Sequence, residues 1–523
     1  MHQSSTRSTF TATSIEDFVN KLETDLKKED APVKKGRGAS TVPSVVFAFT
    51  GQGSQYAGMA HQLWRDSTVF RRLIESIQSI ATALELPKFI DLIDSENFDL
   101  SEASPVQTQL AIVAVEIGLA QLWASWGVRP SLVIGHSLGE YAALCISGVL
   151  TVSDTLYLVG KRAMILVQSV AQNEYAMLAI NDDIGVIRQL LASHTYDTCE
   201  IACINAPKST VVSGALSEIT VLQKELEEQG SRSTLLHVPF GFHSKQMDPI
   251  LNSYESCVKG VGISSPRVPI ASTLLGDIIE DKSIISPLYL RRQTRESVDF
   301  VGALRAAQNS NYLREDTLFL EMGPDPVCMS LIRSILGTSA TPRLLPGLRR
   351  NEDNWLTTSN TLAAVHQAGV PVNWPEYHRE FKNCLSLLDL PTYVFDEKDF
   401  WTSYPDPGQL GGVEQMHMSP PPVPAVQGFP TTTLQRVTNE TFDDGSISVT
   451  FESSTSDPHL FDAIMGHAVA GVTICSSSIF SDMALSAARY ACERLQPGKW
   501  QEELLTISSL DIHRPIVVFD QKD

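Results

Sequence analysis

Cysteine, positive charge and long apolar runs are what this chain has least of. Its eight cysteines are scattered through 523 residues, and the close pair Cys199 and Cys203 has no second pair beside it. A disulfide framework and a structural zinc are therefore not expected, and a reducing, cytoplasmic setting is. Lysine and arginine number 40 against 60 acidic residues, a net charge of -20. That balance argues against a nucleic-acid partner, because phosphate backbones reward basic surfaces. An anionic small molecule needs only a few local cations, which Arg291, Arg292 and Arg295 or Arg349 and Arg350 could supply. No run approaches the roughly 18 to 20 apolar residues of a membrane span, and the lysine-rich first forty residues lack the apolar segment of a secretory signal. No membrane partner is expected. The length leaves room for two to four domains and at least one sizeable core.

What is present centres on Gly135-His136-Ser137-Leu138-Gly139-Glu140. An apolar strand, 132–134, runs into Gly-x-Ser-x-Gly and then the helix-prone Tyr141-Ala142-Ala143-Leu144. The glycines allow a sharp turn that lifts the Ser137 hydroxyl above a helix start, the form of a nucleophile elbow. Upstream, Val45 to Thr50 reads as a strand entering the glycine-supported loop Gly51-Gln52-Gly53-Ser54-Gln55, the opening unit of an α/β domain. Residues 105–126 read as a long apolar helix leading into the elbow strand, and 153–171 as another helix, which carries Arg162. Residues 176–240 read strand, helix, strand, strand, helix, strand, the split βαβ order of a ferredoxin-like lobe inserted in the larger domain. A cleft between lobes is where substrate is expected.

A serine nucleophile needs a base. His243, in Phe240-Gly241-Phe242-His243-Ser244, is the best candidate, because imidazole near its ordinary pKa can take the serine proton and return it. His136 follows the turn in the opposite sense and is expected to pack or hydrogen-bond locally. No aspartate lies in an obvious orienting position, so a carbonyl oxygen could hold the imidazole tautomer, giving a Ser-His dyad. The backbone N–H groups of Leu138 and Gln52 are candidate oxyanion donors. Arg162, a charge on a rather apolar helix, is expensive unless paired, and a carboxylate-bearing acyl group is a partner its fork would hold.

These motifs, with Arg292-Gln293-Thr294-Arg295-Glu296-Ser297-Val298-Asp299-Phe300, resemble the malonyl-CoA:acyl carrier protein transacylase domain of fungal non-reducing iterative polyketide synthases over about residues 45–345. The resemblance implies an α/β, hydrolase-like acyltransferase fold with an inserted ferredoxin-like small subdomain. It implies that Ser137 takes malonyl from malonyl-CoA and passes it to the phosphopantetheine thiol of an acyl carrier protein in trans, with no resident cofactor. By position it implies His243 as general base, Arg162 as the clamp on the malonyl carboxylate, and Gln52 and Leu138 as the oxyanion hole, with Gln52 also touching substrate. Gln293 would supply the main-chain carbonyl that orients the histidine.

Around that domain the sequence reads as an amino-terminal linker (1–44), a post-acyltransferase linker (346–404) that includes an extended tail at 390–401, and a Gly/Pro-rich linker (405–429). Residues 430–523 resemble the start of a product-template domain, a partial hot-dog segment of α+β type. There Gly466-His467-Ala468-Val469-Ala470-Gly471 matches the motif of the catalytic histidine. The following Ile474-Cys475-Ser476 departs from the usual Cys-Pro, so His467 is expected to be a relic or an isolated core histidine. Two other readings compete with malonyl transfer. A serine hydrolase or thioesterase keeps Ser137 and His243 and makes Arg162 incidental, while an inactive remnant would act as a binding scaffold.

Overall fold

The computed structural model describes residues 8–27, 42–193, 196–337, 343–386, 389, 431–469, 472–499, 505–512 and 516–517, and divides into two units, Met1–Leu390 and Pro391–Asp523. The 405–429 linker, the 390–401 tail and most of 28–44 lie outside the described residues. In chain order the strands of the first unit are β1 (Val45–Phe49), β2 (Leu132–Gly135), β3 (Tyr175–Ile180), β4 (Glu200–Ala206), β5 (Ser209–Ala215), β6 (Ser233–Leu236), β7 (Ile270–Ser272), β8 (Asp277–Ile279), β9 (Val298–Asp299), β10 (Leu318–Met322) and β11 (Arg343–Pro346).

Six of them form the main sheet in the order β11-β10-β1-β2-β7-β8, parallel except for β8. β1 and β2 are buried along their whole length, as strands covered by helices on both faces must be, which is why they read as unbroken apolar runs. Their register sets Phe49 beside Gly135. The glycine loop after β1 and the serine turn after β2 therefore leave the sheet side by side at its carboxyl end, where open α/β sheets hold their ligands.

The central helix, Pro105–Ser125, packs on this sheet. Ser104 and Gln107 form a capping box and Pro105 takes the first turn, so the start is fixed by sequence. By length and composition alone this helix is apolar enough to cross a membrane. Of its most apolar 18-residue window, 83% is buried, so its apolar character serves the core of the fold.

The small lobe runs from β3 to β6 with helices Ile184–Ser193 and Leu216–Glu228 between, and its antiparallel sheet has the ferredoxin-like order β6-β3-β5-β4. β9 adds a fifth strand, parallel to β4, that the sequence does not announce. It follows directly on the helix Pro287–Arg295 and so ties that helix to the lobe. Beyond 345, the helix Asn354–Gln367 buries Leu362 and Val365 in the main core.

The second unit, taken by itself, holds an antiparallel hairpin, β12 (Arg436–Asp443) and β13 (Ser446–Glu452), and helices Pro458–Met465 and Ser477–Leu495. Leu460, Ile464, Cys475 and Ile479 form its small core.

A carboxyl group, Glu116, sits fully buried on the central helix. Thr50 Oγ1 donates to its Oε1 at 3.0 Å, and Oε2 has no partner among the described residues. Burial raises its pKa well above the ordinary 4.5, with the nearby Glu321 adding to the effect. The folded chain thus keeps a proton that the unfolded chain releases above about pH 4.5, and stability falls as pH rises from there. Glu116→Gln, which mimics the neutral carboxyl, should flatten the decline of unfolding free energy between about pH 5 and 7 by up to about 1.4 kcal/mol per pH unit. Equal slopes for the two proteins in urea titrations would show that Glu116 does not hold the proton.

Candidate active site

Ser137 stands between the end of β2 and the helix Gly139–Ile146 with φ of 52°. A non-glycine residue held in the left-handed region marks a turn that the surroundings impose. Here the imposition is steric. A side chain at Gly135 would come within 2.3 Å of the Glu140 backbone N, and one at Gly139 within 2.4 Å of the Thr50 carbonyl O. Only glycine at both positions lets the strand, the turn and the loop after β1 close on one another.

His243 meets the serine from the loop after β6. Its own φ is 58°, it is 4% exposed, and its Nε2 lies 2.8 Å from Ser137 Oγ. Its Nδ1 is 2.9 Å from the Glu296 carbonyl. A carbonyl can only accept, so Nδ1 carries the proton and Nε2 presents its lone pair to the serine hydroxyl. The resemblance assigns this carbonyl to Gln293; the bond instead goes to Glu296. Glu296 follows the helix Pro287–Arg295 in extended conformation, which frees its carbonyl to turn to the ring, while the Gln293 carbonyl bears on the imidazole more weakly. The Gln293 side chain has a different place, donating from Nε2 to the Ser137 carbonyl at 2.8 Å. The same helix therefore grips both the base and the nucleophile.

Burial, and then the positive charge of Arg162, push the His243 pKa down to about 3 against the support of the Glu296 carbonyl. At neutral pH the ring is a neutral base. His136 reaches farther than a local contact, with Nε2 2.7 Å from Asn205 Oδ1 on the small lobe.

One cavity is lined by Ser137, His243, Gln52, Leu138 and Arg162, closed by Leu166, Phe242, Met247 and Ile250. The backbone N–H groups of Gln52 and Leu138 have no acceptor among the described residues. Arg162, 7% exposed, donates from Nη2 to Gln109 Oε1 at 3.0 Å and lies 4.8 Å above the Tyr141 ring. It pairs with no carboxylate among the described residues. A buried guanidinium satisfied by a neutral amide and an aromatic face retains donors and a full charge for an anion.

The five arginines considered for an anionic ligand are already engaged. Arg291 pairs with Glu255, Arg292 with Glu296, and Arg295 with Glu200 and Asp248. Arg349 pairs with Glu352, and Arg350 donates to the Gln55 carbonyl across the Tyr56 ring. Sequence reading also passes over Gln109 and Tyr141. The signal for Gln109 was available as an amide on a largely apolar helix. His467, in the second unit, is exposed, contrary to a core histidine, with Nδ1 3.0 Å from the Ile474 carbonyl.

Comparison with known proteins places this geometry in company. Residues 46–372 match the model of the acyl transferase domain family. The chain is 45% identical over 98% of its length to non-reducing polyketide synthase crz7 of Cladonia metacorallifera, and 44% identical over 98% to non-reducing polyketide synthase PKS16 of Cladonia grayi. It covers 24% of each, and so spans about a quarter of the curated relatives it matches. Among solved structures, the acyltransferase domain from the second module of the salinomycin polyketide synthase aligns with TM-score 0.63 at 28% identity, covering 73% of this chain and 87% of that one. The malonyl CoA-acyl carrier protein transacylase of Coxiella burnetii, at 24% identity and TM-score 0.54 over 62% of this chain and 98% of that one, shares the fold.

Two outcomes follow from the geometry. With the imidazole neutral far below its ordinary range, kcat/KM for Ser137 acylation at about pH 5 should stay within about two-fold of its value at pH 7, and an acid limb near pH 6.5 would contradict the buried setting of His243. Gly139→Ala, which forces a methyl group into backbone, should abolish acylation and lower stability by at least about 3 kcal/mol in denaturant unfolding. A stable, active variant would show that the elbow is not packed as described.

Proposed function

Because this chain belongs to the acyl transferase domain family, we propose that it moves malonyl from coenzyme A to the phosphopantetheine thiol of an acyl carrier protein through an ester on Ser137, in fungal polyketide assembly of the non-reducing type. The observation that carries this reading is Arg162, a buried cation with no carboxylate partner among the described residues, in the same cavity as Ser137 and His243. A malonyl thioester brings a carboxylate to that cation and a carbonyl carbon to the serine.

In the first half-reaction His243 Nε2 takes the Ser137 proton as Oγ attacks the thioester carbon. The carbonyl oxygen becomes an oxyanion, met by the free N–H groups of Gln52 and Leu138, which are fixed before the charge develops. Collapse of the tetrahedral intermediate breaks the C–S bond, and the imidazolium returns its proton to the departing thiolate. The second half-reaction runs the same steps with the carrier thiol as nucleophile and Ser137 Oγ as leaving group. Nδ1 keeps its proton throughout, held by the Glu296 carbonyl. The acyl group is held at two ends, so an arriving thiol meets a positioned ester.

The segment boundaries read from sequence (1–44, 45–345, 346–404, 405–429 and 430–523) stay part of the proposal, with 430–523 as a partial product-template segment and His467 without a catalytic role here. All eight cysteines are free thiols, which supports a reducing, cytosolic setting.

Intact-mass measurement after mixing with malonyl-CoA should show one malonyl adduct, mapped to Ser137 and discharged by an added carrier protein. Free malonate released at the same rate with or without carrier would make the chain a hydrolase, and no adduct at all would make it a scaffold. Arg162→Ala should reduce malonyl loading about 100-fold more than acetyl loading, the scale of a lost charge-assisted fork. Equal losses would remove Arg162 from substrate recognition.

A further inference from the structure

Gln109 lies in the second turn of the central helix and is completely buried. Its side chain joins two parts of the site that the chemistry uses separately. Oε1 accepts from Arg162 Nη2 at 3.0 Å, and Nε2 donates to Gln52 Oε1 at 3.2 Å. The sense of this chain is fixed by chemistry. A guanidinium has no acceptor, so Oε1 of Gln109 must face it, and the NH2 of Gln109 is then left to face Gln52.

Two consequences follow from the amide being neutral. It satisfies one donor of Arg162 without cancelling the charge, so the cation keeps its attraction for a substrate carboxylate. A carboxylate at this position would pair with the guanidinium directly and compete with the substrate for it. At its other end the amide anchors the side chain of the residue whose backbone N–H faces the developing oxyanion. The Arg162 guanidinium and the loop after β1 are thus joined through one side chain.

We propose that Gln109 is a positioning residue that sets acyl specificity, holding the Arg162 guanidinium poised without a neutralising partner while coupling carboxylate recognition to the Gln52 oxyanion loop. The proposal rests on the malonyl-transfer reading above.

The test uses the full 523-residue chain and measures kcat/KM for Ser137 acylation from malonyl-CoA and from acetyl-CoA by quenched intact-mass kinetics. Gln109→Glu should lower the malonyl-to-acetyl ratio by at least about 30-fold, any loss through the Gln52 side being shared by both substrates. Gln109→Met, close in volume and unable to make either bond, should lower the ratio by about 10-fold, the scale of one hydrogen bond to a charged group. If Gln109→Glu does not fold, the methionine variant decides alone. An unchanged ratio, with both substrates slowed alike, would mean that Gln109 only fills space and would overturn the proposal. Arg162→Ala run in parallel separates the two levels. If it collapses the ratio while the Gln109 variants keep it, the Gln109 proposal fails and the malonyl reading stands; if it too leaves the ratio unchanged, the malonyl reading fails and the proposal with it.

Discussion

The hydrogen bond from Ser137 to His243 Nε2 depends on backbone conformations that neither residue would choose alone. Both sit at positive φ, and each is held there by a neighbour that cannot yield. Gly135 and Gly139 close the serine turn against the loop after β1. The histidine is held from its far side by the Glu296 carbonyl. The helix ending at Arg295 reaches both, through the Gln293 amide on the Ser137 carbonyl and through Glu296 on the ring. Because β9 continues that helix into the small-lobe sheet, both lobes bear on the alignment of base and nucleophile.

Charge in the site is arranged by burial. The imidazole is kept neutral, Glu116 behind the loop after β1 is kept protonated, and Arg162 is a guanidinium with no carboxylate partner among the described residues. An uncompensated cation lining the same cavity as a neutral base costs stability, which an arriving anion returns. Under the proposed function, such an arrangement would favour an acyl group that carries its own negative charge. It also keeps the base deprotonated, since Arg162 helps to lower the pKa of His243.

The sequence made the fold legible where local chemistry is strict. Strand-to-helix turns need glycine at fixed spacing, parallel strands buried on both faces read as apolar runs, and the small lobe's order of strands and helices follows from short-range periodicity. Ser137, His243 and Arg162 stand out for the same reason, as polar residues in places where a bland residue would serve. What stayed hidden depends on tertiary register. Gln293 and Glu296 are three residues apart at a helix end, and which carbonyl meets the imidazole is decided by how the chain leaves that helix. The pairings that occupy Arg291, Arg292 and Arg295 join residues up to 95 positions apart. β9 has two residues, too few to carry a pattern.

The central claim is the state of one ring, protonated at Nδ1 against a carbonyl and bare at Nε2 toward the serine. Nitrogen-15 NMR of the chain labelled at histidine reads this directly, with the His243 signals identified by their loss in His243→Gln. The account predicts a neutral ring at pH 6, with a protonated Nδ1 and an unprotonated Nε2. An imidazolium at that pH, or the opposite tautomer, would contradict it.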